Sequence, residues 1–206
     1  MDQEKINIYD EERNHIGVAT RKEAHEKGYW HDAFHCWMVT VEEEKPSIYL
    51  QLRSREKKDY PYLLDITAAG HLLSDETVKD GVREVKEEIG IDVAFASLMP
   101  LCVLNYSVHR NQFIDKEIAH VFLYLTPLSL KDFTLQKEEV AGMVKADLYE
   151  FAALWEGTID TIPIEGFEID SEGRKMLIDE RVGKEKFVPH EASFYKAVIE
   201  RIKDAL

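Results

Sequence analysis

Apolar positions recur along the chain in two periods, and the switches between them mark its elements. Ile6 and Ile8 alternate with polar neighbours ahead of Asp10-Glu11-Glu12-Arg13-Asn14, which predicts a short strand and a hairpin turn. Residues 20–28 read as a short helix capped by Thr20 and stopped by Gly28. Residues 33–41 are dense in β-formers and predict a central strand. After a turn at Lys45-Pro46, Ile48, Leu50 and Leu52 alternate with Tyr49, Gln51 and Arg53, the pattern of a half-buried strand. Residues 62–69 leave room for only a short extended segment before Gly70.

Between residues 70 and 91 the period changes. At a helical advance of about 100° per residue, Val78, Val82, Val85 and Ile89 share a narrow sector, the stripe of a core-facing helix. Ser74 or Asp75 is placed to cap its start, and Gly90 to end it in the left-handed conformation. Gly81 within it costs roughly 1 kcal/mol relative to Ala, which implies close packing against another element.

Residues 98–108 and 117–125 read as a strand pair separated by a polar loop over 109–116, and Pro127 ends the second strand. An acidic loop, Gln136-Lys137-Glu138-Glu139, leads into alternating residues 140–148. Residues 147–156 then repeat apolar side chains at helical spacing and stop at Gly157. The stretch 158–189, with Pro163, Gly166, Gly173 and Gly183, has no readable period, whereas Phe194, Ala197, Val198, Ile202 and Ala205 form a closing amphipathic stripe. No internal repeat or linker divides the chain. The expected organisation is one α/β domain over residues 1–157, with a C-terminal helical extension, 158–206, packed on it.

At 206 residues and 45% hydrophobic content the chain can bury a sizeable core. The net charge of −14 comes from acids spread along the sequence, and such a field repels polyanions, so no nucleic-acid partner is expected. No apolar run approaches the roughly 18 residues that a membrane span needs, and the N-terminal residues are acidic rather than signal-like. A cytoplasmic protein without a membrane partner is the expectation. Cys36 and Cys102 lie in apolar surroundings and read as buried free thiols.

The same helical stretch also carries chemistry. Glu84, Glu87 and Glu88 share a second face, where like charges destabilise an isolated helix by roughly 0.2–0.5 kcal/mol per pair. Arg83, four residues before Glu87, offsets part of this. A hard divalent cation such as Mg2+, bound by carboxylates and substrate phosphates, offsets the rest. Arg53, at a strand end, is the first candidate for a phosphate contact, with Lys57 and Lys58 in the basic loop behind it.

Arg83-Glu84-Val85-Lys86-Glu87-Glu88-Ile89-Gly90-Ile91 resembles the second half of the Nudix box: Arg-Glu, aliphatic, any residue, Glu-Glu, any residue, Gly, aliphatic. In the first half the family has Gly, five residues, Glu and seven residues. Here Glu76 is followed by only six, so either Asp75 or Glu76 takes the first acidic position. The resemblance, over roughly residues 3–155, implies an α/β/α sandwich with a mixed sheet (α+β). It implies a hydrolase that cleaves a diphosphate linkage in a nucleoside or other organic diphosphate. It also implies Mg2+ or Mn2+ held by Glu84, Glu87, Glu88 and the Gly70 carbonyl, with Arg83 orienting a glutamate. A further acid, Glu139 or Glu117, is the implied base or additional ligand.

Ile8-Tyr9-Asp10, Arg21-Lys22-Glu23-Ala24-His25, Trp30-His31-Asp32-Ala33-Phe34-His35 and Ala69-Gly70-His71 look like the branch that contains isopentenyl-diphosphate isomerase. That enzyme has a Cys before the Gly-His pair and a His-rich metal site. Ala69 stands at the Cys position here, and neither Cys36 nor Cys102 replaces it in sequence. The intact Arg-Glu and Glu-Glu pairs therefore favour hydrolysis over isomerisation, and also over a non-catalytic nucleotide-binding module. His25, His31 and His71 are either metal ligands or structural histidines. Tyr60, Tyr106, Phe113 and Trp30 are either stacking surfaces for a base or core. The C-terminal extension either caps the site or forms a homodimer interface.

Overall fold

The computed structural model describes residues 3–110 and 113–206. β1 (Lys5–Tyr9) and β2 (His15–Thr20) form the expected hairpin, followed by α1 (Arg21–Lys27). Thr20 accepts the Glu23 N–H to cap that helix, and Gly28 ends it at φ 66°.

β3 (Trp30–Glu42) is the strand around which the sheet is built. It turns into β4 (Lys45–Arg53) at Glu43-Glu44 rather than at Lys45-Pro46. Both glutamates have positive φ, 49° and 66°, as a two-residue type I′ turn demands. Pro46 instead lies inside the strand, opposite Val41. β4 is also not half-buried, because Tyr49 and Gln51 are as inaccessible as Ile48, Leu50 and Leu52. Its alternation separates two covered faces, not core from solvent.

β5 (Leu64–Asp65) pairs with β4, and β6 (Ala68–His71) pairs antiparallel with β3. β3 thus has β4 beside its end half, from Met38 onward, and β6 beside residues 33–36. β4 leaves β3 and continues with β5, so the sheet forks. Thr67 fills the fork: its hydroxyl accepts the Met38 N–H and donates to the Tyr49 carbonyl, two backbone groups that the parting strands leave unpaired.

The box helix is shorter than its apolar stripe. A loop and a 3-10 turn over Asp80–Val82 precede α2 (Arg83–Ile89), and neither Ser74 nor Asp75 caps it. Val85 and Ile89 are fully buried, whereas Val78 and Val82 pack against the same cluster from the preceding turns. Gly81 lies in that turn. A Cβ there would stand 2.7 Å from Phe34 Cβ and 2.8 Å from Leu72 Cδ2, which is the close packing its presence implied. Gly90 ends α2 at φ 75°.

β7 (Met99–Arg110) and β8 (Phe113–Leu125) form the predicted pair, but the ladder continues through Val108↔Asp115 and Arg110↔Phe113. Most of the stretch 109–116 is therefore strand, and residues 111–112 fall outside the described residues. β8 lies parallel to β3 over ten residue pairs, which makes the sheet mixed. β9 (Val140–Asp147) pairs with β4, and α3 (Leu148–Glu156) follows, capped by Asp147 and ended by Gly157.

The stretch without a readable period contributes strands: β10 (Ile162–Ile169) and β11 (Lys175–Val182) extend the same sheet beyond β9. Only α4 (Ala192–Ala205) of the extension is a long helix. The strand order is β11-β10-β9-β4-β3-β1-β2, with β8 and β7 branching from β3. Phe34, Cys36, Met38 and Tyr49 face α2 on one side of the sheet. Trp37, Val39, Ile48, Leu50 and Leu52 face α3 and α4 on the other, where Trp155 and Tyr195 stack at 3.7 Å. The three layers are those of an α/β/α arrangement. Cys36 is buried as expected, but Cys102 is only half-buried. No helix among the described residues is long and apolar enough to cross a membrane.

Candidate active site

The fork in the sheet opens into a cleft of about 480 Å³. α2 lies over β6 and presents Glu84 from its first turn and Glu87 and Glu88 from its last turn to the cleft. Glu84 lies against Gly70 so closely that a Cβ there would be 2.2 Å from the Glu84 carboxyl carbon. Glycine at this position is what allows the carboxylate and the strand backbone to share one cradle. Glu87 sits at the rim, with its side chain 54% exposed, whereas Glu84 is mostly covered and Glu88 is buried.

Arg83 organises the acids. It contacts Glu76 through Nε and through Nη2 (2.9 Å), Glu84 through Nη1 (2.6 Å) and Glu87 through Nη1 (3.0 Å), and Nη2 also donates to the His71 carbonyl at 3.2 Å. Glu76 thus lines the cleft beside the helix acids, whereas Asp75 does not line it. Glu88 is held differently, by the Ala69 N–H and the Gln51 amide.

Burial pushes the Glu84 carboxyl up to about 7, with Arg83 opposing and Glu87 reinforcing the rise. Burial and the neighbouring Glu84 push Glu88 up to about 8. Two buried carboxyls that resist ionisation beside a glycine cradle fit a divalent cation, whose charge removes that resistance.

Glu117 and Glu139 both line the cleft. Glu117 accepts from Tyr106 Oη at 2.6 Å and lies 3.0 Å from His35 Nε2. Glu139 is paired with Lys57, and its backbone carbonyl accepts the Ser54 N–H. Arg53 reaches the lining with its guanidinium already engaged: Nη1 donates to Asp65 at 2.8 Å, while Nε and Nη2 donate to the Asp59 and Tyr60 carbonyls. It holds the 54–62 loop. Lys58 does not line the cleft, whereas Arg21, which the sequence pattern did not single out, does. Tyr60, Tyr106 and Phe113 line it too, but Trp30 donates to Glu11 away from it.

Val188 and His190 bring the C-terminal extension into the lining. His190 Nε2 lies 3.3 Å from Asp65, whose carboxyl is favoured by burial in its neutral form but held well below the usual range by His190 and Arg53. Neither residue carries a periodic signal in the sequence.

A second cluster adjoins the first. Ligand atoms of His25, His31, His71 and Asp115 lie within 4.8 Å of one another. His25 Nε2 and His31 Nε2 stand 3.4 and 3.3 Å from Asp115 Oδ1 without hydrogen-bond geometry, and His71 Nε2 is likewise unpartnered. Burial drives the His71 imidazole far below its ordinary value, toward the neutral form that ligates metal. Four convergent, unsatisfied ligand atoms, those of His25 and His31 on buried side chains, suit a cation, since ligands of a tetrahedral zinc with bonds near 2.1 Å stand about 3.4 Å apart. The three histidines were legible as candidates; Asp115 was not, because it reads as a loop residue.

The NUDIX domain family model matches residues 11–163. The chain is 39% identical over 204 residues to an uncharacterised Nudix hydrolase of Clostridium acetobutylicum, covering 99% of each chain. It is 28% identical over 121 residues to an isopentenyl-diphosphate Delta-isomerase of Burkholderia multivorans, covering 58% of this chain and 65% of the other. The crystal structure of DR0079 from Deinococcus radiodurans shares the fold at TM-score 0.56 and 18% identity, over 75% of this chain and 90% of that one.

Proposed function

The chain belongs to the Nudix family and is a Nudix hydrolase, and from that premise we propose that it cleaves the diphosphate linkage of a nucleoside or other organic diphosphate with the help of Mg2+ or Mn2+. The observation that carries this reading is the cradle of Glu84 against Gly70, with Glu87 and Glu88 beside it. Those three carboxylates and the Gly70 carbonyl would hold the cation. When bound, a divalent cation neutralises charge on phosphate oxygens and acidifies water for attack at phosphorus.

The chain's own groups do the rest. Arg83 fixes Glu84 and Glu87 relative to one another and, through Glu76, to the preceding loop. Glu139, on the loop before β9, and Glu117, on β8, both line the cleft, and on this reading one of them takes a proton from water. Lys57 and Arg21 supply cationic side chains to the substrate's other phosphate. The loop that carries Lys57 is held by Arg53, whose role on this reading is to position the loop.

One observation favours a second reading, isomerisation of a small organic diphosphate: the His25, His31, His71 and Asp115 cluster, together with the isomerase relative. Ala69, which carries no proton-transferring group, weighs against it. Incubating the protein with nucleoside diphosphates, dinucleotides, nucleotide sugars and isopentenyl diphosphate, in Mg2+ or Mn2+, separates the readings. Hydrolysis releases a phosphate-bearing fragment, whereas isomerisation leaves the diphosphate intact.

A further inference from the structure

Gln51 is buried near the C-terminal end of β4, on the face that α2 covers. Its Nε2 donates to Glu88 Oε2 at 3.2 Å, and the Ala69 N–H donates to the same oxygen at 3.0 Å. We propose that Gln51 is a positioning residue of the metal centre: with the Ala69 N–H it pins Oε2 of Glu88 and leaves Oε1 turned to the cleft as the ligating oxygen. This rests on the box carboxylates being the metal ligands.

The first argument is the type of donor. Arg83 reaches Glu76, Glu84 and Glu87, whereas among the described residues the hydrogen bonds to Glu88 come from uncharged groups, the Gln51 amide and the Ala69 N–H. A Lys or Arg at position 51 would orient the carboxylate equally well but would also neutralise it and compete with a cation. An amide donates without adding charge.

The second argument is placement. β4 and β6 are not paired with one another, because the sheet forks between them. Gln51 stands on one prong and Ala69 on the other, and both reach the same oxygen. Glu88 therefore keeps its orientation only while both prongs keep theirs. Thr67 closes the fork one step away, tying the backbone of β3 to that of β4. Outer hydrogen bonds to a ligating side chain typically change metal affinity by roughly 10- to 100-fold.

The test is Mn2+ binding to the full chain without substrate, followed by electron paramagnetic resonance, in wild type, Glu88→Gln, Gln51→Met and Gln51→His. Glu88→Gln identifies the Mn2+ population that belongs to this centre. The expected result is that Gln51→Met weakens that population by at least about 10-fold, leaves the metal-free melting temperature unchanged, and is partly rescued by the ring N–H of Gln51→His. Unchanged affinity in Gln51→Met, with the population absent in Glu88→Gln, overturns the role of Gln51 alone. A population that survives Glu88→Gln overturns the metal centre itself. If Gln51→Met does not fold, the wild-type side-chain amide resonance of Gln51 decides: it shifts on Mg2+ binding if Gln51 orients a ligand, and an unmoved resonance overturns the proposal.

Discussion

Arg83 grips Glu76 with two guanidinium nitrogens, although six residues, forming a loop and a 3-10 turn, lie between them in sequence. The same guanidinium reaches Glu84 and Glu87, so the loop ahead of α2 and the acidic side of α2 are joined through one planar group. A lysine retains the charge but cannot reproduce the fork. Arg83→Lys is therefore expected to lower stability by about 2 kcal/mol in urea unfolding, within the range for charge-assisted hydrogen bonds, and to reduce kcat. Glu76→Gln, which keeps one accepting oxygen, should cost less on both measures.

The Glu84 and Glu88 carboxyls, at about 7 and about 8, set a pH dependence for the metal-free protein. Both lie above the ordinary value of 4.5, so the folded state holds protons that the unfolded chain has already released. Their contribution to stability is fully present at pH below about 4.5 and declines as pH rises through about 7 to 8. Thermal melts in chelator should therefore show a midpoint that falls from about pH 5 to 8 and levels off above that, and Glu88→Gln should flatten the slope. Because a cation displaces those protons, apparent Mg2+ affinity should rise over the same window.

Two glycines give opposite outcomes. At Gly70 an alanine Cβ meets the Glu84 carboxyl, so Gly70→Ala should displace that ligand and weaken Mg2+ or Mn2+ binding by at least about 10-fold, the scale of a disturbed outer contact, with little change in melting temperature. At Gly81 the Cβ meets Phe34 and Leu72. Gly81→Ala should cost about 1–3 kcal/mol by overpacking and leave metal affinity intact.

Much of the sequence pattern survives in the fold, and its failures have physical causes. The strand and helix periods located β1, β3, α1, α3 and α4 because each has one clean apolar face or a capping residue at its end. β4 was misjudged as half-buried because its second face is covered by α2 and by Phe133 against Tyr49, contacts that no local period encodes. The box helix looked longer than it is because Val78 and Val82 reach the same cluster from a loop and a 3-10 turn. The box carboxylates were legible because their spacing crowds one helix face. Asp65, Asp115 and His190 were not, since they meet the cleft only after β5, β8 and the C-terminal segment have been folded onto β3 and β4.

The histidine cluster predicts a second, separable metal response. Zn2+ added to chelator-stripped protein should raise the melting temperature. At a free concentration about 100 times Kd, binding at one site adds about 2.7 kcal/mol. His31→Ala and Asp115→Asn should remove the response while leaving Mn2+ bound at Glu88. An unchanged Zn2+ response in both variants would assign these side chains to the fold alone.

The most direct measurement is turnover of the best diphosphate substrate by wild type and Glu88→Gln, with Mg2+ varied from none to saturation and cleaved and rearranged products counted separately. The account predicts cleavage at the phosphate linkage by wild type only when Mg2+ is present, and a loss in folded Glu88→Gln larger than the roughly 100-fold upper scale of an outer-contact change. Undiminished cleavage in Glu88→Gln, or a product whose two phosphates remain joined, would contradict it.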